Sequence, residues 1–79
     1  MKKPPPIRFA LCMKNTACED LVIRKVYAVL LDERAEKDHY VRIIDESGED
    51  YLYPASFFCM VRLPQTVERS LRRSLPLAV

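Results

Sequence analysis

Glycine occurs once in this chain of 79 residues, at Gly48, and its surroundings limit the folds available. It lies in the tip Asp45-Glu46-Ser47-Gly48-Glu49, between Tyr40-Val41-Arg42-Ile43-Ile44 and Asp50-Tyr51-Leu52-Tyr53-Pro54. β-Branched and aromatic residues on both sides of a polar, glycine-bearing tip spell a β-hairpin. Gly48 stands third in Glu46-Ser47-Gly48, which fits a type I turn followed by a left-handed glycine. A two-residue Ser47-Gly48 turn would force serine into that left-handed region. The three-residue loop sets Ile43 against Tyr51 and Val41 against Tyr53, and a slip of one residue would turn every side chain over. The expectation is that Val41, Ile43, Tyr51 and Tyr53 share the core face, with Tyr40 and Arg42 on the other. Such a hairpin places the chain among small β-barrels, where binding is commoner than catalysis.

The rest of the chain supports a strand-rich reading. Residues 1–6 end in Pro4-Pro5-Pro6 and read as an extended tail. Ile7, Phe9, Leu11 and Met13 alternate with Arg8, Ala10, Cys12 and Lys14, the pattern of a half-buried strand. Val26 to Leu31 is apolar on both faces and rich in β-branched residues. One face belongs to the core; the other must meet the C-terminal segment or a second chain. Asp32 to Asp38 reads as a loop or one helical turn. Phe57 to Leu63 forms a last strand after a turn at Pro54-Ala55-Ser56. Val67, Leu71 and Leu75 then recur every four residues between Pro64 and Pro76, which marks a short amphipathic helix. A helix of that length needs packing on the barrel or on a partner.

Charge is distributed unevenly. Residues 1–31 sum to +4, residues 32–50 to −5 and residues 51–79 to +3. The net +2 is too small to imply nucleic acid or membrane by itself. No apolar run approaches the ~20 residues of a membrane span. Three cysteines, Cys12, Cys18 and Cys59, are an odd number for a disulfide scaffold, so a reducing cytoplasm with free thiols is expected. Cys12 and Cys59 fall in predicted strands and are expected to be buried, leaving Cys18 as the reactive thiol.

Catalytic and metal chemistry find little support. His39 is the one histidine and precedes a strand, where a solvated side chain is expected. The cysteine spacings fit neither a zinc ribbon nor a C-x-x-C motif. The acidic tip lacks the spacing of a calcium loop and reads as a solvent-exposed turn. No glycine-rich phosphate cradle exists. Neither cofactor nor metal is expected.

Lys25-x-Tyr27-x-Val29, Tyr40-x-Arg42-x-Ile44, the acidic tip and Tyr53-Pro54-x-x-Phe57 together resemble the SH3-like barrel. They are similar to a group of small uncharacterised bacterial proteins with that fold. The resemblance runs from Leu21 to Leu63 and implies a fold, not a function. Pro54-Ala55-Ser56-Phe57 is similar to the Pro-x-x-Tyr corner of eukaryotic SH3 domains. Those domains use a tryptophan and a tyrosine hydroxyl for proline-rich ligands, and this chain has neither at the matching place.

The expected architecture is therefore mainly all-β: a five-stranded SH3-like barrel over residues 7–63 and an amphipathic helix over 64–76. The expected function is a non-enzymatic module binding an unknown protein partner or a second copy. Tyr40, Arg42, Pro54, Phe57 and Leu71 are its candidate contacts. The alternative is a nucleic-acid-binding small β-barrel, with aromatic residues for stacking and Arg24, Lys25 and Arg62 for phosphate. No membrane role is expected.

Overall fold

The computed structural model describes residues 7–74. The expected tail at 1–6, and Leu75 and Pro76 at the expected end of the helix, lie outside them. The elements run β1 (Ile7–Cys12), β2 (Val26–Leu30), α1 (Glu33–Lys37), β3 (Tyr40–Ile44), β4 (Asp50–Pro54), a 3₁₀ turn (Ala55–Phe57), β5 (Phe58–Val61) and α2 (Gln65–Arg73). All strand pairs are antiparallel, in one sheet of order β4-β3-β2-β1-β5. The fold is mainly β, with five strands and a short C-terminal helix, as expected. The sheet is not closed: β4 and β5 form its two edges.

The hairpin has the expected register. Val41 faces Tyr53 and Ile43 faces Tyr51. Gly48 has φ 84°, and its N–H donates to the Asp45 carbonyl at 3.0 Å, which closes the type I turn. The Asp45 N–H in turn donates to the Glu49 carbonyl at 3.1 Å, so the loop is Glu46-Ser47-Gly48. A side chain with a Cβ would crowd the following carbonyl at that φ; glycine has none.

Two apolar clusters lie on opposite faces of the sheet. The larger joins Ala10, Cys12, Leu21, Tyr27, Val29, Ile43 and Tyr53, with Phe57 and Phe58 packed against it. Ile43 is wholly buried, which contributes about 1.5–3 kcal/mol for a side chain of that size. The smaller joins Phe9, Ala28 and Ile44, and Leu63 and Leu71 pack on it. β1 is thus covered on both faces. Cys12 is wholly buried, as expected, and so is Ala10 beside Arg8 and Lys14 in the alternation, because the larger cluster takes their face. The second face of β2 meets α2 through Ala28 and Leu71, which is the C-terminal cover its sequence called for.

α1 starts at Asp32, whose Oδ1 accepts the Ala35 N–H at 3.0 Å. Asp32 Oδ2 accepts Arg42 Nε at 2.9 Å, and Arg42 Nη1 reaches Asp50 Oδ2 at 2.9 Å. One guanidinium therefore ties α1 to the hairpin. α2 begins after Pro64 and ends at Ser74, with Arg72 and Arg73 in its last turn, where cations suit the helix dipole. Leu71 anchors it, and Arg72 Nη2 donates to the Ile7 carbonyl at 3.4 Å. Val67 is exposed, so the apolar stripe touches the sheet along its C-terminal half.

Candidate functional site

The five sequence-nominated residues do not form one site. Tyr40 and Pro54 face each other across β3 and β4, and Arg42 lies two residues from Tyr40 on the same face, opposite Leu52. Tyr40 and Leu52 are exposed, but Arg42 is held between Asp32 and Asp50. A guanidinium engaged by two carboxylates positions α1 and β4 rather than waiting for a ligand. Phe57 is partly buried against the larger cluster, and Leu71 is spent on the smaller one.

In the acidic tip Glu46, Glu49 and Asp50 are exposed, as the composition implies, but Asp45 is not. Asp45 is buried, with 5% of its surface exposed. Its Oδ1 accepts the Ser47 N–H at 2.9 Å and the Ser47 hydroxyl, and its Oδ2 accepts the Tyr53 hydroxyl at 2.6 Å. Burial opposes its ionisation, but the hydrogen bonds from Ser47 and Tyr53 prevail and hold its carboxyl below the ordinary range. Burial, and then the Asp45 carboxylate, push the Tyr53 phenol up. Glu46 is bonded to Lys25, which draws its carboxyl down, and Lys25 also lies 5.3 Å over the Tyr27 ring. These acids organise the hairpin and the loop before β2.

Tyr51 shares the face of Tyr53, as its register requires, yet it is 48% exposed and reaches only Glu49. It stands at the open start of an edge strand, with no strand beyond to cover it. Cys59, expected to be buried, is exposed for the same reason on the opposite edge, whereas Cys18 is partly covered by the larger cluster. Burial raises the Cys12 thiol.

A groove of about 620 Å³ runs where β1, β5 and the start of α2 meet. Ile7, Phe9, Val61 and Leu63 provide apolar lining, Met60 sits at the rim, and Arg8, Arg62 and Glu68 supply charge. The backbone beside it has a definite polarity. Cys12 exchanges hydrogen bonds with β2-side backbone: its N–H goes to Lys25 and its carbonyl accepts Arg24, both at 2.8 Å. Met13 N–H donates to the Phe57 carbonyl at 2.7 Å. Alternation in an antiparallel ladder then directs the amides of Cys59 and Val61 toward β1, and those of Met60 and Arg62 toward the open edge. No charge stands within Phe58-Cys59-Met60-Val61, although charge is a usual guard of an exposed edge.

Sequence reasoning missed this groove because its parts lie far apart in the chain. The weak signal was Arg62 directly after an uncharged strand. Among the described residues, no three His, Cys, Asp or Glu side chains are grouped to hold a metal, and no helix is long and apolar enough to cross a membrane. No family model, curated protein or solved structure matches the chain.

Proposed function

We propose that this chain is a small non-catalytic module that binds another protein along the groove and open edge formed by β5. The observation that carries the reading is an uncharged terminal strand with outward backbone groups, adjoining a groove of mixed apolar and charged lining. Unpaired strand edges recruit further strands, and apolar lining adds area to the contact. The SH3-like family reading belongs to the same proposal and rests on the sequence resemblance. So does the cytoplasmic setting, which the three free thiols support.

The nucleic-acid alternative draws less support from the placement of its parts. The exposed aromatics Tyr40 and Tyr51 lie on opposite faces of the β3–β4 pair, and Tyr51 is bonded to Glu49. Arg8 and Arg62 line the groove at the other edge. A single-strand binder needs its stacking platform and its cations in one channel.

The test is capture from source lysate on immobilised full chain, with nuclease treatment, comparing the native protein with Met60→Glu, which puts a guarding charge on the open edge. The reading expects nuclease-resistant protein bands that weaken in the variant. Capture abolished by nuclease, or unchanged in the variant, overturns it.

A further inference from the structure

Resting on that reading, we infer that the β5 edge takes an extended partner segment in which acidic and apolar residues alternate. Three observations meet here. The outward amides of Met60 and Arg62 offer a ladder to an added strand. An added strand alternates its side chains between the two faces of the sheet.

Those two faces differ in chemistry. Met60 lies opposite Ala10, so Arg8, two residues before Ala10, shares its face, and Arg62 continues the spacing. Val61 lies opposite Phe9 on the other face, where Leu63 adds to the same apolar cluster. Among the described residues, Arg8 and Arg62 have no salt-bridge partner; the ion pairs there are Lys25–Glu46, Arg42–Asp32 and Arg42–Asp50. One set of ligand side chains thus meets two unpaired guanidinium groups, and the other meets the hydrocarbon of Val61 and Leu63; among the described residues, Glu68 of α2 is the one acid lining the groove. Carboxylates answer the first and β-branched aliphatics the second.

A second copy of the chain answers poorly. Residues 57–63 contain no acid, so pairing β5 with itself brings only Arg62 to Arg8 and Arg62. A nucleic acid supplies the charge but not the alternating apolar set.

The probe is a fluorescein-labelled peptide, Glu-Val-Asp-Ile-Glu-Val-Asp, titrated with the full chain by fluorescence anisotropy. A block-sequence peptide of equal composition, an alternating lysine–valine peptide and a mixed single-stranded 12-mer oligonucleotide serve as comparisons. The inference expects saturable binding of the alternating acidic peptide that weakens with salt. It expects at least a ~10-fold weaker Kd in Arg8→Glu and in Met60→Pro. Proline at 60 removes an amide that faces outward, which an edge strand tolerates; circular dichroism checks the fold, and Arg8→Glu carries the test should the proline variant not fold. Absence of saturable binding, equal binding of the block peptide, tighter binding of the oligonucleotide, or a concentration-dependent dimer in sedimentation overturns it. If the peptide fails while Met60→Glu still loses lysate capture, the partner chemistry is wrong and the docking module stands. If both fail, both are wrong.

Discussion

The Tyr53 hydroxyl donates to Asp45 Oδ2 at 2.6 Å inside the fold, joining the tip of the hairpin to its far strand. The two residues are eight apart, and both have 9% or less of their surface exposed. Tyr53→Phe removes a hydrogen bond to a buried carboxylate, worth about 1.5–3 kcal/mol. Urea unfolding at neutral pH should show that loss, with the midpoint lowered and the slope unchanged.

The same carboxylate sets an acid limit. Its pKa is lowered on folding, so its contribution is complete above the unfolded carboxylate value of about 3.9 and is lost as pH falls through the folded value. Stability measured by urea unfolding should drop from pH 5 toward pH 2. Asp45→Asn should be less stable at pH 7 and should flatten that drop.

Gly48 holds the loop at φ 84°. Gly48→Ala should cost about 1–2 kcal/mol, and Gly48→Asn less, because asparagine tolerates the left-handed region. Thermal unfolding of the three proteins gives the order. Equal stability of glycine and alanine would mean the loop is not a three-residue turn.

How far the sequence reached can be judged from the hairpin itself. The position of one glycine gave the loop, and the loop gave the pairing of Val41 with Tyr53. Local rules sufficed because every group involved lies within fifteen residues. Burial was another matter. Asp45 lay in an acidic run and read as solvated, but its carboxylate is satisfied by Ser47 and by a tyrosine on the returning strand. Tyr51 and Cys59 read as core by alternation, which finds the face of a strand and not whether another strand lies beside it. Arg42 read as a free cation because Asp32, ten residues back, is brought to it only by the fold. The groove needed β1, β5 and α2 together, and no local pattern joins Ile7 to Leu63.

Asp32 caps α1 and receives Arg42, and these two contacts hold its carboxyl below the ordinary range, the cap amide of Ala35 first. Asp32→Ala should speed amide exchange at Ala35 and lower the melting temperature. Asp32→Asn should keep most of the cap while losing the ion pair. Identical exchange at Ala35 in the alanine variant and the native chain would contradict the capping role.

Thiol exposure orders the cysteines: Cys59 is open, Cys18 half-covered and Cys12 buried with its thiol pushed up by burial. Limited alkylation followed by mass spectrometry should label Cys59 first and Cys12 last. Labelling of Cys12 ahead of Cys59 would contradict the placement of β1 between two clusters.

The most direct measurement of the open edge is residue-resolved amide hydrogen exchange along β5 in the free chain. Cys59 and Val61 donate toward β1 and should be protected, while Met60 and Arg62 face outward and should exchange at least ~10-fold faster. Equal protection at all four amides would mean that the edge is already covered, and would contradict a docking strand at β5.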